Sequence, residues 1–419
     1  MKKNRLILAL LAPTLTSLCA SAQETTKWIV TGRDAASRAQ TVFADKPLLK
    51  DGQPAFSVLE SKSDRIVARA TDSAIAAIAD PTLHRCGGYT VHDSYEAAVA
   101  EVNNPFYAAN VNLEIPFPAT IDQQVDVTQA LDLISKTEIM DTIAVLANLG
   151  TRFYESDEGQ NAAILIEERW KAYAAGRPDF SVARFVHNWK QNSVIATIEG
   201  SDHPEEIVLI GAHLDSIHPA DNSNAPGADD DATGVAVVSE VLRVLAKINF
   251  APKRTLQFMA YAAEEVGLRG SQDIARRYKT EGKKVVAALQ FDMAGYAGSE
   301  KNMYFISDEE YVNKELTDYL KSLVSAYNNS GVHEITHGDT ECGYGCSDHV
   351  SWTGIGVPSA FPFEAAFANT NSALHTSMDV IARMDATGVH QSRFAKLGVE
   401  FMIETGKSSN ARLHQMSVE

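Results

Sequence analysis

Cysteine is scarce, with four in 419 residues. That is too few for a disulfide-built scaffold, so the fold must rest on a hydrophobic core. Positive charge is also in short supply: 37 Lys and Arg stand against 54 Asp and Glu, a formal net charge of -17. Phosphate binding needs a basic face, so this balance argues against a nucleic-acid partner. Beyond the first two dozen residues no apolar run approaches the ~20 that a membrane span requires, so no membrane association is expected of the mature chain. Internal repeats and low-complexity tracts are missing too, which removes solenoid readings. What remains is globular: 45% hydrophobic and 22% charged, in a chain long enough for a catalytic domain with an extra unit.

The first 22 residues read as a secretory signal. Lys2, Lys3 and Arg5 form a positive start, Leu6 to Leu11 an apolar run, and Ala20-Ser21-Ala22 an A-x-A cleavage site. Its removal leaves Cys86, Cys342 and Cys346, an odd number for an oxidising compartment. Residues 23–118 read as a small α+β unit. Ala55 to Leu59 and Ile66 to Ala70 have strand character, and Thr71 to Ala79 reads as a helix stopped by Asp80-Pro81. Pro116-Phe117-Pro118 breaks regular structure, which places a boundary there. A cut in this region would remove Cys86 and leave an even pair. The unit at 23–118 is therefore expected to be a propeptide, and 119–419 the catalytic domain.

From about residue 120 strands and helices alternate. Ser156–Ala175, Ala232–Ile248, Ser271–Thr280 and Tyr311–Tyr327 carry helical apolar spacing. Glu206–Gly211, Thr255–Ala262 and Val285–Phe291 are near-continuous apolar runs. Such runs between helices predict an α/β fold with a mixed, mostly parallel central sheet covered on both faces. Ligands in such folds bind beyond the carboxyl ends of the strands.

The polar residues of interest sit where those strands end. The first strand runs into His213 and Asp215, the second into Glu264-Glu265, the third into Asp292. Asp229-Asp230-Asp231 precedes a helix, and His375 comes late. Taken singly these are weak signals; the aspartates, for instance, are good helix caps. Together, acids and imidazoles converging on one sheet edge would repel one another unless cations were present. Two dications would be balanced by three carboxylates and one hydroxide, with two imidazoles completing the shells. Mixed His and carboxylate ligation suits zinc, with cobalt and manganese as the alternatives.

HLDS at His213, APGADDDATG at Ala225 to Gly234, AYAAEEVGLRGS at Ala260 to Ser271, QFDM at Gln290, CGYGCSDH at Cys342 and LHT at Leu374 resemble the co-catalytic dizinc exopeptidases, in particular bacterial leucyl aminopeptidase. The resemblance runs in matching order over roughly residues 120–410. It implies a secreted, monomeric enzyme holding two Zn2+ and acting on peptides with free N-termini. It implies that Asp230 bridges both metals, that His213 and Asp292 complete one, and Glu265 and His375 the other. Glu264 would be the general base, Asp215 would orient His213, and a cis peptide would follow Asp230. Tyr344 would donate a hydrogen bond to the oxyanion or substrate; a packed loop aromatic is its other reading.

Met293, Ile306, Phe361, Phe363, Phe367 and Leu374 lie close in sequence to the ligands. By resemblance they line the pocket for the first side chain, with Cys342, Tyr344 and Cys346 as another wall. Ordinary core packing is the alternative for the phenylalanines. Gly343 and Gly345 permit a tight turn that would let Cys342 and Cys346 form a disulfide; a soft metal site is the rival, but no nearby cluster completes it. Other enzymes of this fold fit less well. A glutaminyl cyclase works with one zinc, whereas all five ligand positions are present. A carboxypeptidase needs a cation for the terminal carboxylate, and no arginine stands out.

Overall fold

The computed structural model describes residues 25–49, 51–78, 88–107 and 120–407. The expected signal, Cys86 and the proline break at 116–118 lie outside those residues.

The N-terminal unit is richer than two strands and a helix. β1 (Thr26–Gly32), α1 (Arg33–Phe43), β2 (Phe56–Lys62), β3 (Arg65–Thr71), α2 (Asp72–Ile78), β4 (Tyr89–His92) and α3 (Tyr95–Val102) build it. Its antiparallel sheet has the order β2-β3-β1-β4. Side-chain alternation along β1 and β3 sends successive residues to opposite faces. Ile29, Ile66 and Ala68 meet Ala36 and Ala39 of α1 and Ala74 and Ile78 of α2. Val30 and Val67 meet Ala98 and Val102 of α3 on the other side.

The second, larger unit opens with α4 (Gln124–Leu131), α5 (Lys136–Ala147) and α6 (Asp157–Tyr173). Then follow β5 (Phe180–Phe185), β6 (Ser193–Ile198), β7 (His203–His213), α7 (Ala232–Lys247), β8 (Arg254–Tyr261), α8 (Arg269–Thr280) and β9 (Lys284–Gln290). The chain ends through β10 (Met303–Ile306), α9 (Lys314–Tyr327), β11 (His337–Thr340), α10 (His349–Thr353), β12 (Ser359–Ala360), β13 (Pro362–Phe363) and α11 (Val389–Gly406). The main sheet has the order β12-β9-β7-β8-β6-β5. β12, β9, β7 and β8 pair in parallel, while β6 and β5 extend the sheet antiparallel. A small second sheet runs β11-β10-β13.

The central strands are apolar over most of their length because both faces are covered there. Val208, Ile210 and Phe258 join the large core beneath α5, α6, α7 and α11. Ile207, Leu209 and Met259 face Ile274 and Tyr278 of α8 and Trp352 of α10. Capping sets the helix starts. Ser156 accepts from Gly159 N at α6, Asp231 from Gly234 N at α7, and Asn313 from Leu316 N at α9. The cap at Asn313 explains why α9 begins three residues later than its apolar pattern, which starts at Tyr311; that tyrosine N–H bonds Asp308 in a turn instead. No helix among the described residues is long and apolar enough to cross a membrane.

Candidate metal centre

The parallel strands β7, β8 and β9 end side by side, and each delivers acids or imidazole at or just past its last ladder pair. β7 delivers His213 and Asp215, β8 leads to Glu264 and Glu265, and β9 to Asp292. The loop before α7 brings Asp230, and an irregular segment after β13 brings His375. Ala263, Met293 and His375 all have positive φ, at 57°, 53° and 55°. Such conformations are uncommon outside glycine and concentrate at functional sites. The peptide between Asp230 and Asp231 is cis.

All five expected ligands come together, buried to within 3% of complete. His213 Nε2 lies 2.8 Å from Asp230 Oδ1 and 3.4 Å from Asp292 Oδ1. His375 Nε2 lies 3.0 Å from Asp230 Oδ2 and 2.9 Å from Glu265 Oε2. The two oxygens of Asp230 thus divide between the two imidazoles. Neither oxygen of Glu264 makes a hydrogen bond among the described residues, and Glu265 Oε1 makes none either. Buried carboxylate oxygens are rarely left so. Unsatisfied oxygens and imidazoles converging in a dry site are the donor set that zinc takes, so the residues fit that metal.

Asp231 also stands within reach of His213 and Asp292. Its oxygens, however, already accept from three backbone groups: His213 N at 3.0 Å, Gly234 N at 2.8 Å and Met293 N at 3.2 Å. It therefore fastens the backbone around the other candidate ligands. Asp215 does more than face His213 Nδ1 at 3.6 Å. It also accepts from Glu264 N at 2.9 Å and Glu265 N at 3.2 Å. Sequence reasoning missed Ser347, whose hydroxyl donates to Asp292 Oδ2 at 2.6 Å, and Asp379, which accepts from Asp229 N and Asp230 N.

Burial pushes the Glu264 carboxyl well above its ordinary range, with His213 opposing. Burial also raises Glu265, to about 7, and the charge on Asp230 adds to the rise. Burial works against charge on His213 and His375 as well, yet the surrounding carboxylates prevail and lift both. The site is thus an anionic cavity that stabilises cations.

Every expected pocket residue falls in one apolar cluster. Met293, Ile306, Cys342, Tyr344, Cys346, Phe361, Phe363 and Leu374 pack together, with Phe367 at the margin and Val312, which the sequence did not suggest, beside them. Phe361 meets Phe363 edge-on at 5.6 Å, and Tyr344 meets Phe367 at 6.0 Å. Met293 follows Asp292 and Leu374 precedes His375, so the cluster abuts the ligands. Cys342 and Cys346 are joined as a disulfide, and Asp308 holds that turn by accepting from Cys342 N and Gly343 N.

The N-terminal unit lies over this region. Tyr89 Oη donates to Glu265 O at 3.3 Å, and Val91 N to Gly267 O at 3.4 Å. A β-carbon built on Gly32 would stand 3.8 Å from Tyr344 Cβ. A cavity of about 340 Å³ between the units is lined by Ile75 and Tyr89 from one side and by Tyr154, Ile217, Glu265 and Val266 from the other.

Residues 193–399 match the peptidase family described as Peptidase family M28. Over 315 residues the chain is 36% identical to leucine aminopeptidase 1 of Neurospora crassa, covering 71% of this chain and 75% of that one. Among solved structures, the LapA aminopeptidase of Legionella pneumophila superposes with a TM-score of 0.75 at 27% identity, covering 92% of this chain and all of that one. LapB from the same organism gives 0.76 at 27%, over 91% and 100%. Those two matches take in the N-terminal sheet as well as the larger unit. The likeness is thus to fungal as well as bacterial proteins, and the motifs do not single out the bacterial ones.

Proposed function

The chain belongs to peptidase family M28 and is an aminopeptidase; on that premise we propose that it is secreted, holds two zinc ions and removes leucine and other large apolar residues from peptide N-termini. The observation that carries this reading is the division of the Asp230 oxygens between His213 and His375, with the unpaired Glu264 carboxylate alongside. His213, Asp230 and Asp292 would hold one ion, and Asp230, Glu265 and His375 the other. Ions held there would polarise the scissile carbonyl and acidify a shared water. Glu264 takes a proton from the attacking water and passes it to the leaving amine. Asp215 fixes Glu264 through its backbone, and Tyr344 donates to the developing oxyanion. The enzyme acts on free N-termini as a monomer.

The apolar cluster takes the first side chain. It offers no cation for an acidic residue and no carboxylate for a basic one. Burying a leucine side chain contributes about 1.5–3 kcal/mol, so leucine should exceed alanine roughly tenfold or more in kcat/KM. Charged first residues should be poor, since burying an unpaired charge is costly. Metal analysis of the purified protein and a panel of amino-acid p-nitroanilides test both halves: two zinc ions per chain, and leucine ahead. Phe361→Ala should widen the preference and Phe367→Trp narrow it. Arginine or glutamate cleaved faster than leucine would overturn the pocket assignment.

Residues 23 to roughly 118 act in this reading as a propeptide that assists folding and restrains activity, removed after secretion. The contacts of Tyr89 and Val91 on Glu265 O and Gly267 O support it, because they seat the unit against the segment that carries Glu264 and Glu265. N-terminal sequencing of secreted active enzyme should find a start near residue 119. A start at Gln23 with full activity would sink the idea.

A further inference from the structure

The loop that carries Asp230 has neither helix nor strand to satisfy its backbone. Its N–H groups go to one side: Asp229 N and Asp230 N donate to the Asp379 carboxylate at 2.9 and 3.0 Å, and Ala228 N to Asp379 O at 3.1 Å. Three of its carbonyls, those of Pro226, Gly227 and Asp230, face one side chain. Arg152 is fully buried. Its Nη1 donates to Pro226 O at 2.5 Å and its Nη2 to Gly227 O at 2.8 Å, with Asp230 O at 3.5 Å. The remaining donor, Nε, reaches Leu214 O at 2.8 Å. Leu214 stands between His213 and Asp215, so one guanidinium ties the end of β7 to the loop before α7.

Neighbouring residues are shaped around this contact. Gly227 has a φ of 53°, and a β-carbon there would lie 2.8 Å from Arg152 Nη2 and 2.4 Å from Asp230 O. Ser216 accepts from Arg152 N at 3.0 Å and donates to Ala225 O at 2.7 Å. Gly150 O takes Ala225 N at 2.9 Å. The segment 150–152 therefore follows 225–227 as a rigid partner.

We propose that Arg152 is a positioning residue for the metal centre: its guanidinium sets the spacing between His213 and Asp230, and through it the affinity of the site for zinc. The chemistry requires arginine. Five N–H donors in a planar fork can meet carbonyls on two chain segments at once, and the group has no acceptor to be misplaced. Lysine presents donors from one point and cannot span both segments. The buried charge also has company, because Asp215, Asp230, Asp231 and Asp379 surround it. A fixed cation offsets part of their mutual repulsion while the loop is held.

The inference rests on the dizinc reading, and the experiment separates the two. Zinc affinity of the full secreted enzyme is measured by chelator competition for wild type, Arg152→Lys and Arg152→Met. Kinetics on leucine p-nitroanilide and thermal melting of the zinc-free proteins are measured alongside. Arg152→Lys should weaken zinc binding about 10–100-fold, the range for a lost partner behind metal ligands. Its kcat should fall with KM nearly unchanged, because the apolar pocket is untouched. A purely structural arginine would lower the zinc-free melting temperature and leave chelator competition in folded protein alone. Wild-type zinc affinity in Arg152→Lys would overturn the proposal, whether or not Arg152→Met folds. Failure of the wild type itself to bind two ions would overturn the dizinc reading instead.

Discussion

Glu264→Ala is expected to lower kcat by ~10²–10⁴, the usual cost of removing a positioned general base, with two zinc ions retained. The reason lies in how β8 ends. Glu264 and Glu265 are consecutive, both buried, and both anchored through their N–H groups on Asp215. Their side chains nevertheless have different surroundings. Glu265 Oε2 stands 2.9 Å from His375, the approach of a residue sharing an ion with that imidazole. No histidine stands within ion-pair distance of Glu264 among the described residues, and neither of its oxygens is hydrogen-bonded. A carboxylate beside the ligands but outside their contacts is free to accept a proton. Burial raises its proton affinity, which favours that acceptance. Alanine removes the acceptor without touching a ligand, so metal analysis should be unchanged while turnover collapses. Glu264→Gln, nearly isosteric, should lose as much. Near-normal kcat in either variant would show that another group takes the proton.

The site was legible because its logic is local. A strand that reads as an apolar run and ends in His or Glu announces both a buried sheet and the edge where ligands gather, and β7, β8 and β9 all do this. Met293 and Leu374 were legible as members of the apolar cluster because each adjoins a candidate ligand. The parts that escaped are held by distance in sequence. Arg152 meets Pro226 and Gly227, and Asp379 meets Asp229, across 74 to 150 residues of intervening helices and strands; a lone arginine after a threonine carries no spacing signal. The outer strands escaped for another reason. β5 pairs only with β6 and is half exposed, so it lacks the apolar run that marked the centre. The N-terminal unit was under-read in part because β4 is only four residues long. Its shape as a four-stranded sheet is decided by pairing, which composition does not display.

In the proposed two-zinc enzyme, removing the metals should also be costly. Chelation is expected to reduce turnover by ~10³-fold or more, since a water polarised by zinc titrates near 7 rather than 15.7 and no protein group here replaces that. Substitutions at the ligands should separate the two ions. Among the described residues Asp230 alone meets both imidazoles, at 2.8 Å through Oδ1 and 3.0 Å through Oδ2. Asp230→Ala should therefore empty both positions, while His375→Ala, which faces only Asp230 and Glu265, should leave one ion in place on His213 and Asp292. Stability should follow. A ligand bound at 100 times its Kd adds about 2.7 kcal/mol, so zinc should raise the melting temperature of wild type and leave Asp230→Ala where it started. Asp230→Ala should itself fold, because the loop backbone is held by Asp379, and by Arg152 mainly through Pro226 and Gly227. Metal content by emission spectroscopy and melting with and without zinc give the answer together. Two ions retained in Asp230→Ala, or one lost in Asp230→Ala and two in His375→Ala, would contradict the bridging role.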